Sequence, residues 1–257
     1  MKKQSVLLVN KPLGMTPFEA IKQIRKYYPR YKDTKISYAG RLDPMAEGLL
    51  LLLIGDETKK QESYTSLTKT YYFETLFGVE TDSYDTLGVV VNSSSKMIVQ
   101  KELENLKNHF IGRHIYPYPP FSSAVYKGKP LYYYARRGLI GSIEIPKREI
   151  EIDEFYFLGV RNIPRDILQK EISRRINLVN GEFRQEQIAE KWRDFFNRCI
   201  EDTFSIGKFR VECSSGTYVR SLCVKIGKIL RTNAIAYRIV REKIGEYNLE
   251  KAVNLKE

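Results

Sequence analysis

The sequence predicts an α+β fold, on three observations. Runs rich in β-forming residues recur at 5–9, 49–54, 69–78, 149–160 and 206–213. Stretches with apolar residues at helical spacing lie among them but do not follow each strand in turn. The chain also lacks the G-x-G-x-x-G turn and the G-x-x-x-x-G-K-[ST] loop that mark parallel nucleotide-binding sheets.

Taken in order, the first strand covers 5–9 and ends at Asn10-Lys11-Pro12. Thr16-Pro17-Phe18-Glu19 reads as a capping box with proline at the first helical position, which opens a helix to about residue 28 with Ile21 and Ile24 on its apolar face. Gly40 starts a turn that passes through Asp43-Pro44 into a leucine-rich run ending at Ile54, a pattern that suits a buried strand. Residues 69–78 read as a strand that pairs, across a turn at Thr81-Asp82-Ser83, with Gly88-Val89-Val90-Val91 as a hairpin. A helix over 100–110 puts Leu103, Leu106 and Phe110 on one side, and Pro117, Pro119 and Pro120 then forbid regular structure. Strands at 149–160 and 206–213 flank a helical stretch over 161–203, where Ile188, Trp192, Phe195 and Cys199 recur at helical spacing. Helices at 221–230 and 234–241 and a short tail complete the chain, and no linker or repeat divides residues 1–257 into more than one domain.

Lys and Arg total 43 against 31 Asp and Glu, a formal charge of +12 that favours a polyanionic partner through counterion release. No apolar run approaches the ~20 residues that cross a bilayer, and no secretory leader pattern opens the chain, so a cytoplasmic protein without a membrane partner is expected. Cys199, Cys213 and Cys223 form no C-x-x-C pair, and neither His109 nor His114 has a second ligand at metal-binding spacing. Any catalysis therefore rests on carboxylates, Tyr, Lys or Arg.

Tyr38-Ala39-Gly40-Arg41-Leu42-Asp43-Pro44-Met45-Ala46-Glu47-Gly48-Leu49-Leu50 resembles the signature of the TruB family of pseudouridine synthases, G-x-L-D-P-x-A-x-G-x-L, at every fixed position. Lys11-Pro12-Leu13-Gly14-Met15-Thr16 is similar to the family's K-P-x-G-x-[ST] segment, and Lys69-Thr70-Tyr71 to its K-x-Y motif. Phe121 to Tyr132 is similar to P-x-x-S-A-x-x-x-G-x-x-x-Y with Phe121 in the proline slot, and Cys213-Ser214-Ser215-Gly216-Thr217-Tyr218-Val219-Arg220 resembles C-S-x-G-T-Y-[IV]-R.

The resemblance implies the pseudouridine synthase fold, a mixed and mostly antiparallel sheet flanked by helices. It implies a tRNA pseudouridine synthase acting on the T-loop uridine, position 55 of tRNA, as a monomer that grips the T arm. Breaking the C1′–N1 bond, turning the base and joining C1′ to C5 involves no redox step, so no cofactor or metal is expected. The catalytic role falls to Asp43, as nucleophile or as stabiliser of charge on the sugar. Arg220 is expected to hold it ionised in a bidentate contact, and Tyr71 to stack on the base and handle the C5 proton. Tyr218 and Ile239 match positions that line the uracil pocket. Lys11, Lys69, Tyr38 and Arg41 complete the expected substrate-binding set.

Tyr38 stands where relatives carry histidine and cannot become cationic, and Arg41 fills a slot usually held by a small residue, where a phosphate contact would compensate. The TruB-like pattern ends near Val253, so the C-terminal PUA domain of many relatives is not expected. The helical insert at about 161–203 is longer than the usual connection. It is expected either to offset the missing RNA grip or to pack Trp192 and Phe195 on the body, since such stripes are usually core. Two other functions fit the same features. One is a synthase acting on another RNA such as ribosomal RNA, since Gly40-Arg41-Leu42-Asp43 echoes that branch too. The other is a non-catalytic RNA-binding module or chaperone, against which a buried ion pair argues.

Overall fold

A computed structural model, which describes residues 5–96 and 98–255, builds the chain around one ten-stranded sheet. The elements run β1 (Val6–Lys11), α1 (Pro17–Tyr27), β2 (Ile36–Ala39), β3 (Ala46–Ile54), α2 (Gln61–Ser66), β4 (Lys69–Phe77), β5 (Val79–Thr81), β6 (Val90–Ser93) and α3 (Gln100–Glu104). There follow β7 (Gly112–Pro117), β8 (Val125–Tyr126), β9 (Lys129–Pro130), α4 (Leu131–Arg136), β10 (Lys147–Pro164), α5 (Arg165–Asn177) and α6 (Gln185–Arg198). The last are β11 (Thr203–Cys213), α7 (Val219–Ile229), β12 (Ala234–Ile244), β13 (Tyr247–Asn248) and β14 (Val253–Asn254). Strand order is β14-β1-β3-β12-β4-β11-β10-β7, with β2 also on β3 and β13 on β12. Among the described strands, β1 with β14 and β3 with β12 pair in parallel, and the other ladders are antiparallel.

Helix α1 begins as its sequence requires. Glu19 N donates to Thr16 Oγ1 and Thr16 N donates to Glu19 Oε2 at 2.7 Å, which satisfies the free donors of the first turn. Ala20, Ile21 and Ile24 pack on Leu7, Val9, Leu50 and Leu52, while Leu49, Leu51 and Leu53 face a cluster with Ile244 on the other side, so β3 is apolar throughout. Further along, alternation divides the sheet's faces. Phe73, Phe209 and Val211 meet Leu222, Cys223 and Ile226 of α7, and Leu76, Ile206 and Ile235 meet Ile172, Ile188 and Trp192 of α5 and α6.

Four expectations are corrected. Residues 234–241 form the start of strand β12, not a helix. The helix propensities of Ala, Arg and Glu differ from those of the β-formers by well under ~1 kcal/mol per residue, whereas β12 lies between β3 and β4 with both backbone edges paired and its side chains buried on both faces. The α-helix near 100 stops at Glu104 and continues as a 3-10 turn over Asn105–His109, the tighter pitch in which residues three apart, such as Leu103 and Leu106, line up toward the core. The hairpin is formed by β5 with β6; β4 ends at Phe77, before Gly78, and belongs to the main sheet between β12 and β11. The helical insert starts at Arg165, because β10 continues through Pro164 along β11.

Among the described residues, no helix is long and apolar enough to cross a membrane.

Candidate active site

The turn between β2 and β3 carries Asp43, and buried groups on its inner side define its shape. Arg241, 1% exposed on β12, donates from Nε to Leu49 O at 2.7 Å, from Nη2 to Gly40 O and from Nη1 to Arg41 O. Gly14 N donates to Pro44 O at 2.8 Å, which ties the turn to the loop after β1. Lys11 is wholly buried and donates to the carbonyls of Pro12, Met15 and Ala46. Burial brings its ammonium down to about 7.

Arg220, in the first turn of α7, reaches Asp43 from below. Its Nε lies 2.8 Å from Asp43 Oδ2, while Nη1 donates to Ser83 O at 2.7 Å and Nη2 to Phe121 O at 3.1 Å. The expected bidentate fork is thus corrected to a single-edge ion pair, since the outer nitrogens are committed to backbone carbonyls and Nε meets Oδ2 off the line of a hydrogen bond. A second carboxylate, Asp85, stands 3.8 Å from the same Nε. It accepts from Ser83 Oγ at 2.6 Å and Leu87 N at 2.9 Å. Burial opposes the charge on Arg220, but Asp43 and Asp85 outweigh it and hold the guanidinium above its ordinary value. Burial raises Asp85 to about 6 despite the neighbouring Arg220. The Asp43 side chain keeps 32% of its surface exposed, whereas Arg220 keeps 3%, so the carboxylate is the more accessible member of the pair.

That cavity is a cleft of about 750 Å³, and every expected site residue except Lys11 lines it: Asp43, Tyr71, Arg220, Tyr38, Arg41, Tyr218, Ile239 and Lys69. Tyr71 comes from β4, where it pairs with Arg241, and burial raises its phenol, which favours the protonated form. Tyr218 packs edge-on against Tyr118 at 5.7 Å, and its phenol too is raised, chiefly by burial. Lys69 borders the cleft, yet its ammonium donates to Thr65 O and Leu67 O and is lowered by burial to about 8. Arg41 projects into solvent at the rim. Lys11 is the correction: its ammonium is spent on carbonyls under the turn, so it supports the Asp43 loop instead of touching a ligand.

Some functional positions escaped the sequence. Asp85 and Ser83 lie in a stretch that reads as an ordinary acidic turn, and the approach of Ser83 to Arg220 crosses 137 residues. Arg241 was hidden by the helical reading of 234–241, although an arginine amid Ile239, Val240 and Ile244 is a recognisable sign of a buried cation on a strand. Among the described residues, no group of three or more His, Cys, Asp or Glu side chains could hold a metal ion.

The arrangement presents the Asp43 carboxylate, paired with a buried guanidinium, in a pocket walled by Tyr71, Tyr218, Leu42 and Ile239. It can receive a flat, uncharged ring and set a negative charge beside an atom that becomes electron-poor.

The insert packs an apolar face on the body. Ile188, Trp192 and Phe196 are buried, and Lys170, Arg174 and Lys191 on the helix exteriors pair with Asp166, Glu171 and Asp194 of the same helices. From the insert, Phe183 and Arg184, in the loop between α5 and α6, reach the cleft.

Comparison with known proteins gives a consistent picture. Residues 26–183 match the TruB family pseudouridylate synthase (N terminal domain). The tRNA pseudouridine synthase B of Caldicellulosiruptor saccharolyticus is 32% identical over 250 residues, which cover 97% of this chain and 70% of that protein. The protein of the same name from Aquifex aeolicus is 32% identical over 251 residues, covering 98% of this chain and 72% of that one. In fold, the chain is similar to one in the crystal structure of a Cbf5-Nop10-Gar1 complex, with TM-score 0.59 and 20% identity, and it spans 97% of its own length but about half, 52%, of that chain.

Proposed function

The chain belongs to the TruB family of pseudouridylate synthases, and from that premise we propose that it isomerises a T-loop uridine of tRNA to pseudouridine with Asp43 as the catalytic carboxylate. The observation that carries this reading is the ion pair between Asp43 Oδ2 and Arg220 Nε, 2.8 Å apart, at the base of a cleft with aromatic walls. In the reaction, the C1′–N1 bond breaks, the uracil turns, C1′ joins C5, and the proton lost from C5 balances the one gained at N1. The carboxylate paired with Arg220 serves either as nucleophile at C1′ or as the counter-charge to a cationic sugar.

A uridine stacked inside folded RNA must leave its stack to reach Asp43. Tyr71, Tyr218 and Ile239 supply the surfaces on which the extruded base packs, and Tyr71 handles the C5 proton. Tyr38 and Arg41 at the rim bind neighbouring nucleotides, Arg41 through phosphate. The tRNA substrate is supported by the excess of 43 basic over 31 acidic residues and by the names of the relatives. The T arm as target and action as a monomer belong to the same reading.

The test is to incubate the protein and its Asp43→Asn variant with a tRNA transcript and map pseudouridine by position. Product at the T-loop uridine with wild type and none with the variant is expected. A wild type that forms no pseudouridine, or an Asn variant that matches its rate, overturns the proposal.

A further inference from the structure

The guanidinium of Arg220 is fixed by two segments besides Asp43. Ser83 O and Asp85 come from the turn after β5, and Phe121 O comes from the segment before β8. The turn is tied to β12 of the main sheet, where Ala236 N donates to Tyr84 O at 2.9 Å, whereas the segment at Phe121 lies outside every strand and 36 positions further along the chain. Their relative placement therefore requires a tertiary contact.

Besides Arg220 itself, Arg184 touches both. Arg184 donates from Nη1 to Asp82 Oδ2 at 2.8 Å and from Nη2 to Asp82 Oδ1 at 3.2 Å, next in sequence to Ser83. The same guanidinium lies 4.3 Å over the ring of Phe121. Asp82 Oδ1 also accepts from Val89 N at 2.9 Å, so the carboxylate that Arg184 grips closes the β5–β6 turn as well. Arg184 is carried on a firm support. Its φ of 65° places it in the left-handed region at the start of α6. The Gln185 side chain donates to Val179 O and Gly181 O and accepts from Phe183 N. Arg136 Nη2 donates to Glu182 O at 2.7 Å, and a Cβ at Gly14 would meet Leu178 O at 2.5 Å, so the loop is seated against the body at both ends.

We propose that Arg184 is a positioning residue for the reaction: from the insert, it clamps the Asp82–Asp85 turn to Phe121 and so fixes the frame in which Arg220 orients Asp43. The inference rests on the functional reading above and deepens it. It makes the insert part of the catalytic support. With both outer nitrogens on Asp82 and its plane on Phe121, Arg184 has little left to offer a phosphate.

The experiment measures single-turnover conversion of a tRNA transcript by wild type, Arg184→Gln, Arg184→Lys, Asp82→Asn and the Arg184→Gln/Asp82→Asn double variant, with thermal unfolding of each as a control. Arg184→Gln is expected to lower the rate at saturating enzyme by roughly 10-fold to 100-fold, the scale of a misplaced catalytic group. The enzyme concentration that gives half the maximal rate should stay as in wild type. Arg184→Lys restores the charge but not the planar fork, and should recover part of the rate. Asp82→Asn approaches the same contact from the other side while keeping the Val89 acceptor, and the double variant should be no slower than the slower single one. An active wild type with an unimpaired Arg184→Gln overturns this inference alone. So does a variant whose half-saturating concentration rises at an intact maximal rate, which would make Arg184 an RNA contact. A wild type without product overturns the functional reading and this inference with it.

Discussion

Asp85, a buried carboxylate, stands 3.8 Å from the Arg220 Nε that Asp43 approaches to 2.8 Å. One guanidinium thus serves two carboxylates of different exposure. The exposed one faces the cleft, and the buried one is drawn up to about 6 by desolvation.

The sign of the resulting pH dependence is fixed. Because the folded state holds the Asp85 proton more tightly than the unfolded chain, with its ordinary value of 3.8, this stabilisation is complete below 3.8 and is lost as pH rises through about 6. Asp85→Asn removes the titration and keeps an oxygen for Ser83 Oγ and Leu87 N. Urea unfolding at a series of pH values should show wild type losing on the order of 2–3 kcal/mol relative to the variant between about pH 4 and pH 7. A constant difference would show that Asp85 does not titrate in that window.

Lys11→Met should destabilise the protein by at least ~2 kcal/mol, since the carbonyls of Pro12, Met15 and Ala46 lose a buried donor. Burial depresses the folded lysine to about 7, so its contribution to stability grows as pH rises from there toward 10.5 and is lost as pH falls through 7. The variant should lack that trend. Its catalytic rate should fall with RNA affinity unchanged; weaker RNA binding as the sole effect would restore Lys11 to the substrate-binding set.

Trp192→Ala should cost about 3–5 kcal/mol, the usual range for emptying a buried aromatic site, because its ring stacks on Phe196 at 5.7 Å within the cluster that α5 and α6 form on Leu76 and Ile206. In contrast, Lys191→Ala and Arg193→Ala, on the exposed side of α6, should leave tRNA affinity as in wild type in a filter-binding titration. A marked loss with either would make the helix exterior an RNA grip after all.

Gly48→Ala should be among the most destabilising single changes. Its φ is +103°, and a Cβ there would lie 2.5 Å from Arg241 O and 2.8 Å from Arg241 N. The parallel pairing of β3 with β12, which brings Arg241 under the Asp43 turn, depends on that close approach. A melting temperature within a few degrees of wild type would contradict this account.

Much of the site was legible before any coordinates because it is written in contiguous segments. Gly40 to Leu50 and Cys213 to Arg220 each combine a turn, a functional side chain and the start of a rigid element, and such local patterns survive in a single sequence. The capping box at Thr16 and the alternation of β11 belong to the same class, since neighbours a few residues away determine them. Residues 234–241 show the limit. Their residue types suit a helix or a strand, and only two vacant backbone edges, on β3 and β4, decide for the strand.

By itself, then, the sequence determined the family, the α+β class and the identity of the paired charges Asp43 and Arg220. The tertiary structure decided how those charges meet: by one edge of the guanidinium, because Ser83 O and Phe121 O occupy its other nitrogens. It also decided that Lys11 lies under the site, that Asp85 shares Arg220, and that Arg184 joins the two segments around it. The physical reason is one of distance along the chain. A turn or a cap is a short-range balance of sterics and hydrogen bonds, whereas the direction of a buried cation depends on which acceptors the packing of remote segments leaves within about 3 Å of it.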